Sequence, residues 1–292
     1  MPYIAACFTI FFWSSAFPAV KYCLTYYSPE SIMLFRFLVA SIVLLGYCAV
    51  KRVKVPQKKD LPLFVVSGFV GLFLYMWAFN TGTNLVPSGI SGFIIASAPV
   101  FTLILSILFL KEKSNFLIWL GVLISFVGII VIGFTQVTET NLNVGVVLLL
   151  GASIFTSIFN IMQRRILLKY SAMQSTAYSV AFATLFMFIF LPLLIKEFPR
   201  APVSVNIVIV YLGVFPAALA YLFWGYALSK VEKTIQVTSF LYLAPFLASI
   251  MAFFWLGESI SLLAILGGVI VITGMVITNI AKTSSMNLKG KT

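Results

Sequence analysis

The sequence predicts an all-α polytopic membrane protein, with ten transmembrane helices in two inverted five-helix repeats around a central cavity. Three observations predict it. Of the 292 residues, 62% are hydrophobic and only 9% charged, with a mean hydropathy of +1.11; the basic residues fall in alternate loops; and the two halves of the chain repeat each other in register. A soluble domain of this length carries far more charge. Apolar runs of about 20 residues, the length that crosses a hydrocarbon core, tile the chain and leave only short connections.

The predicted spans are 3–22, 31–50, 61–80, 88–110, 115–134, 143–162, 172–195, 204–228, 235–256 and 259–281. The first has no basic stretch before it and no small-residue cleavage site after it, where Tyr26-Tyr27-Ser28-Pro29 follows, so it reads as a retained helix rather than a signal peptide. The second carries the one basic side chain well inside a span, Arg36, and the third carries Tyr75. The fourth and ninth contain Ala98-Pro99 and Ala244-Pro245. The fifth and tenth share a pattern of leucine, isoleucine and glycine, the sixth bears a polar stripe, the seventh holds Pro192, and the eighth holds Pro216, Tyr221 and Trp224.

Composition removes several chemistries. With no histidine and Asp60 as the only aspartate, the chain has no Ser-His triad, no HExxH zinc site and no intramembrane aspartate pair. Cys7, Cys23 and Cys48 lack CxxC spacing and read as apolar filler. No metal or cofactor is expected. The net charge of +12 does not indicate a nucleic-acid partner, because the basic residues sit between hydrophobic runs.

Their distribution sets the orientation. One set of loops holds Lys51, Arg52, Lys54, Lys58, Lys59, Lys111, Lys113, Arg164, Arg165, Lys169, Lys230, Lys233, Lys282, Lys289 and Lys291; the other holds only Lys21, Lys196 and Arg200. By the positive-inside rule the first set is cytoplasmic, and both termini with it. The expected location is a bacterial inner (plasma) membrane.

Shifting the chain by 146 residues, half its length, aligns Ala98-Pro99 with Ala244-Pro245, Leu110 with Leu256 and Glu112 with Glu258. The same shift matches Leu117, Leu120, Gly121, Ile124 and Gly128 with Leu263, Leu266, Gly267, Ile270 and Gly274, and Tyr75 with Tyr221. The register is clear for the last three spans of each half and weak for the first two. Residues 1–138 and 139–292 thus read as two copies. Each has five spans, an odd number, so the second copy enters the membrane from the opposite side. Inverted halves are the architecture of secondary transporters, which bind solute near the midplane and open to either side in turn.

Trp13-Ser14-Ser15 with Lys21, Arg36-Phe37-Leu38, Ala98-Pro99-Val100 with Leu110-Lys111-Glu112, and Tyr221-Leu222-Phe223-Trp224 with Tyr226-Ala227-Leu228 resemble the EamA family of the drug/metabolite transporter superfamily. Leu256-Gly257-Glu258 leading into Gly267-Gly268 and Gly274 is similar too. The resemblance covers essentially the whole chain. It implies ten helices, cytoplasmic termini, two five-helix repeats, a central cavity bordered by helices 1, 3, 4, 6, 8 and 9, and a function in moving amino acids or other small metabolites.

Polar residues in hydrocarbon face protein or a wet cavity, so stripes at helical spacing locate the interior. Ser153, Thr156, Asn160 and Gln163 form one stripe on the sixth span, and Thr238, Tyr242, Pro245 and Ser249 another on the ninth. The first span offers Trp13, Ser14 and Phe17. Each set suits either a solute path or hydrogen bonds between helices. Tyr75, Tyr221 and Trp224 suit either core packing or aromatic walls for flat or amphipathic solutes, with cation–π attraction for a cationic group. Pro99 and Pro245 are the candidate symmetric hinges. Arg36, about six residues from the outer end of its span, suits snorkelling, bonding of exposed carbonyls or contact with a substrate carboxylate, and structural anchoring is the expected role.

No acidic residue lies near the middle of any predicted span, so the usual carboxylate for coupling to protons or sodium is missing. The expectation is a permease for small organic metabolites, amino acids or related compounds, working by export or facilitated exchange through alternating access. The alternatives are an intramembrane lipid-acting enzyme, disfavoured by the lack of histidine and of paired acids at depth, and a non-transporting scaffold. Gly121 with Ser125 and Ala264 with Gly268 form small-residue pairs that serve packing within one monomer as well as between copies, so a monomer is compatible with the sequence.

Overall fold

The computed structural model of the chain describes residues 1–85, 94–134, 143–256 and 262–287. Helical structure is found on all ten predicted spans. Among the described residues, six helices are long and apolar enough to cross a membrane: Pro2–Val20, Pro29–Val50, Lys58–Leu85, Val144–Ile166, Ala172–Arg200 and Val203–Ser229. Ala98–Leu110, Phe116–Gly128 and Ile265–Ala281 are shorter apolar helices. Their outward faces carry Phe8, Phe11, Ile42, Leu108, Leu123, Leu185, Ile195 and Ile207, all exposed, whereas Thr9, Ser41, Ser67, Thr102, Ser153 and Ser157 are buried. Apolar outside and hydroxyls inside is the pattern of a bundle solvated by lipid, where each polar group finds its partner within the protein.

The spans are less continuous than their hydropathy suggests. The third runs as a 3-10 turn Lys58–Asp60, an α-helix Leu61–Gly68, a π-helical segment Phe69–Leu74 and an α-helix Tyr75–Leu85. The eighth runs Val203–Val214, π-helical Phe215–Leu219, then Ala220–Ser229. The seventh breaks at a 3-10 turn Phe188–Phe190 before Leu191–Glu197, and the ninth at a 3-10 turn Ser239–Tyr242 between Ile235–Thr238 and Leu243–Leu256. Prolines explain most of this. Pro192 is the second residue of its helix, Pro99 the second of Ala98–Leu110, Pro245 the third of Leu243–Leu256, and Pro216 lies in the π segment. A residue lacking its N–H starts a helical stretch more readily than it continues one. Pro18, by contrast, lies inside the unbroken first helix, Pro2–Cys23. The π segment of the third span holds no proline; a Cβ at its Gly71 would lie 2.7 Å from Phe159 Cβ, so the sixth span passes directly against it.

The packing list has an internal symmetry. The first span packs on the eighth and ninth, and the sixth on the third and fourth; the second packs on the seventh and eighth, and the seventh on the second and third; the fifth packs on the tenth. Exchanging each span for the one five places away returns the same list. The fifth and tenth meet through glycines: a Cβ on Gly121 would lie 2.6 Å from Gly274 O, and one on Gly128 2.7 Å from Gly267 O. The small-residue pair of the fifth span therefore packs within the monomer. The two π segments also correspond, since Phe69 and Phe215 open them at equivalent positions under the repeat shift.

Candidate functional site

The sixth span, Asn143–Ile166, presents its stripe to the centre of the bundle. Ser153 Oγ donates to Ile94 O at 3.0 Å and Ser157 Oγ to Ala98 O at 2.9 Å, tying this span to the fourth. One turn further on, Asn160 is 1% exposed and bridges two neighbours: Nδ2 donates to Thr102 Oγ1 at 3.4 Å, and Oδ1 accepts from Trp224 Nε1 at 2.8 Å. Gln163 accepts from Ser175 Oγ and donates to Ser179 Oγ at 3.4 Å, and Ser179 Oγ donates to Ser67 Oγ at 3.1 Å. Thr156 is half-buried on the same helix.

Trp224 begins an aromatic group drawn from five spans. Its ring lies 5.1 Å from that of Trp13, which lies 5.2 Å from Tyr221 in an edge-on arrangement. Tyr221 also meets Phe159 at 5.6 Å and Phe37 at 6.4 Å. Phe17 meets Phe79 at 5.9 Å, and Phe79 stacks on Tyr75 at 5.9 Å. The π segment helps to hold this group. Side chains of the first and seventh spans bond carbonyls in it and just after it: Trp13 Nε1 donates to Pro216 O at 3.1 Å, Thr9 Oγ1 to Ala220 O at 3.1 Å and Thr176 Oγ1 to Tyr221 O at 3.2 Å. Tyr75 is half-buried.

Arg36 belongs to the same region. It is 5% exposed, its guanidinium carbon lies 5.9 Å from the centre of the Phe37 ring, and the phenols of Tyr221 and Tyr75 lie within its electrostatic reach. Its Nε is buried with no hydrogen-bond partner.

Other candidates lie elsewhere. Ser14 is buried and donates to Ala244 O at 3.3 Å, joining the first span to the ninth. Thr238 is buried and bonds within its own helix, to Thr234 O at 3.4 Å. Tyr242 is buried in a separate cluster with Ala96, Leu103, Ile118, Val122 and Val271, and its hydroxyl has no partner. Pro99 is buried at the start of its helix; the side chains of Pro245 and Ser249, and all of Glu258, lie outside the described residues. Phe37, Phe79, Phe159 and Thr102 escaped the sequence reading. Phe79 stands one helical turn from Tyr75, Phe37 beside Arg36 and Phe159 beside Asn160, which was the available signal.

At the end of the bundle that carries the basic loops, three spans are fastened together. Glu112 accepts from Thr234 N at 2.9 Å and from Thr234 Oγ1 at 2.6 Å, capping the helix Ile235–Thr238. Arg164 lies 4.0 Å from Glu112 and donates to the carbonyls of Leu228, Val231 and Glu232. Lys169 and Tyr170 both bond Asp60, closing the connection between the third and seventh spans.

Over residues 1–134 and again over 143–280, the sequence matches the EamA-like transporter family. The chain belongs to that family. Relatives of this EamA-like protein agree. It is 35% identical over 275 residues to an uncharacterised transporter, YdfC, of Bacillus subtilis strain 168, covering 94% of this chain and 89% of the relative. It is 31% identical over 271 residues to a probable terminal-alkyne amino-acid exporter of Streptantibioticus cattleyicolor, covering 93% and 91%. A protein of known crystal structure superposes with a TM-score of 0.80 at 17% identity, covering 95% of this chain and 96% of the other, a likeness of fold. The protein is therefore an integral membrane transporter.

Proposed function

We propose that this EamA-like protein carries small organic metabolites, amino acids or related compounds, across a bacterial inner membrane by alternating access. Residues 1–138 and 139–292 act as oppositely oriented five-helix repeats, with both termini cytoplasmic and the monomer as the working unit. The observation that supports this reading most directly is the meeting of Trp13, Asn160, Tyr221 and Trp224 from the first, sixth and eighth spans at one place in the bundle. Trp13, Phe17, Tyr75, Tyr221 and Trp224 wall the solute site, and Asn160, fixed by Trp224, supplies its amide edge; Thr156 borders it. In this reading Ser14 and Gln163 hold helices together around it, Tyr242 packs in the separate apolar cluster, and Thr238 bonds within its own helix.

The fastening of Glu112, Arg164 and Thr234 represents a closed cytoplasmic side, and the helix starts at Pro99 and Pro245 are where the fourth and ninth spans bend when that side opens. The sequence places no carboxylate near the middle of any span, so transport follows the solute's own gradient, as export or exchange, without cofactor or chemical step. Counterflow of labelled amino acids in proteoliposomes containing the purified protein tests this. Exchange independent of an imposed proton or sodium gradient supports the reading, and absence of exchange for every amino acid, amine and nucleoside tried opposes it.

A further inference from the structure

Arg36 is hard to explain as a structural charge. A buried guanidinium without a counter-ion is costly in a protein interior and more so at membrane depth. Among the described residues no acidic side chain pairs with it; the groups that act on it are the Tyr221 and Tyr75 phenols and the Cys23 thiol. An anchoring arginine directs its donors to carbonyls, as Arg164 does with Leu228, Val231 and Glu232. Arg36 leaves Nε buried and unbonded.

The other half of the molecule sharpens the contrast. Ser41 and Thr184 bond each other across the second and seventh spans, and Arg36 lies five residues before Ser41 as Ser179 lies five before Thr184. Both positions lie beneath a glycine of a neighbouring span: a Cβ on Gly213 would lie 2.8 Å from Arg36 O, and one on Gly68 2.7 Å from Ser179 O. Ser179 is fully buried and closed by bonds to Gln163 and Ser67. At that position of the seventh span a small neutral side chain closed by hydrogen bonds suffices.

We propose that Arg36 is the counter-ion for a carboxylate on the transported solute, which is a small compound with an apolar or aromatic body, an amino acid in the first instance. This rests on the transport reading above. A guanidinium fork receives a carboxylate through two parallel bonds, supplying Nε with the acceptor it lacks. The rings of Trp13, Tyr75, Phe79, Tyr221 and Trp224 take the apolar body, and their faces attract an ammonium where the solute has one.

The test is counterflow of labelled leucine, methionine, phenylalanine and tryptophan by the full-length protein in proteoliposomes, with unlabelled competitors. Against the amino acid that exchanges fastest, its deaminated acid should compete, and its amide, lacking the carboxylate, should compete at least about tenfold more weakly. Arg36→Met should slow exchange by at least about tenfold, with Arg36→Lys recovering part of it. Equal competition by acid and amide, or exchange by Arg36→Met within about twofold of the original, overturns this assignment while leaving transport intact. Because the competition arm uses the unaltered protein, it decides the matter even if a variant fails to fold. Exchange of none of the four amino acids overturns this assignment; the transport reading falls only when the wider panel of amino acids, amines and nucleosides fails as well.

Discussion

The hydroxyls of Ser41 and Thr184, in the second and seventh spans, lie 2.7 Å apart and bond each other. Under the proposed inverted repeat, with a register of 143 residues here, they are counterparts, and each meets its own image across the interface. The fifth and tenth spans show the same relation, Ser125 Oγ donating to Val271 O at 3.2 Å across 146 residues. A residue meets its own counterpart only near a two-fold axis, as in an isologous dimer interface. Ser14 and Ser157 add a reciprocal pair, donating to Ala244 O and Ala98 O respectively. In the proposed mechanism the halves exchange conformations about this axis, and the pairs on it are the parts that move least.

The glycines at the fifth and tenth spans should therefore be stability positions. Gly121→Ala and Gly128→Ala place a methyl 2.6 Å from Gly274 O and 2.7 Å from Gly267 O, against backbone that cannot rotate away. Each should cost about 1–3 kcal/mol of stability by overpacking. Gly46, with nothing within 4 Å of its would-be Cβ, is the control, and Gly46→Ala should be neutral or stabilising by up to about 1 kcal/mol. Thermal unfolding in detergent micelles reads the difference; equal midpoints for all three would refute the close helix contact.

The bond from Trp224 Nε1 to Asn160 Oδ1 lends itself to a double-mutant cycle. Trp224→Phe leaves a buried carbonyl oxygen unpaired and should cost about 1–3 kcal/mol, whereas adding Asn160→Leu removes the orphan and should recover part of that stability. Exchange of solute should fall in both variants, because the amide edge of the site is displaced in one and absent in the other. Recovery of exchange together with stability in the double variant would show that the pair is only a strut.

The helical spans and the register of the last three in each half were legible in the sequence because hydropathy and coincident Pro, Gly and aromatic residues survive a single shift. The first two spans were not, for a reason visible in Ser41 and Thr184. In the proposed repeat Ser41 answers to Thr184 at 143 residues rather than 146, so a shift that aligns Tyr75 with Tyr221 slides the earlier helices three residues out of step. The π segment at Phe69–Leu74 was also hidden, since it contains no proline. Polar stripes revealed an inward face but not what it meets. A serine in hydrocarbon is equally satisfied by a neighbouring carbonyl, as Ser14 is, or by a ligand, and helical period is the same in both cases. The pairing of Trp224 with Asn160 crosses 64 residues, beyond any local pattern.

Orientation follows from the charge map and is open to direct measurement. In a variant with Cys7, Cys23 and Cys48 replaced, a single cysteine at exposed Lys54 or Lys230 should react with a membrane-impermeant maleimide only after the cells are opened. One at Lys196 or Arg200 should react in intact cells. The reverse pattern, or two chain ends on different sides, would remove the parity on which the inverted arrangement depends.

The fastening at Glu112 should set which side of the carrier is open. Glu112→Gln keeps an acceptor for Thr234 but removes the charge facing Arg164, 4.0 Å away, a loss of about 1–2 kcal/mol for a partly exposed contact. If the closed and open cytoplasmic states differ by a few kcal/mol, that shift moves their ratio about five- to thirtyfold. A cysteine at Val231, buried beneath this fastening, should then be labelled faster from the cytoplasmic side than in the original protein. Pro99→Ala and Pro245→Ala should reduce the rate at which access alternates between the two sides. Unchanged labelling in Glu112→Gln would sink the gate, and an unchanged exchange rate in both proline variants would leave the bending of the fourth and ninth spans without support.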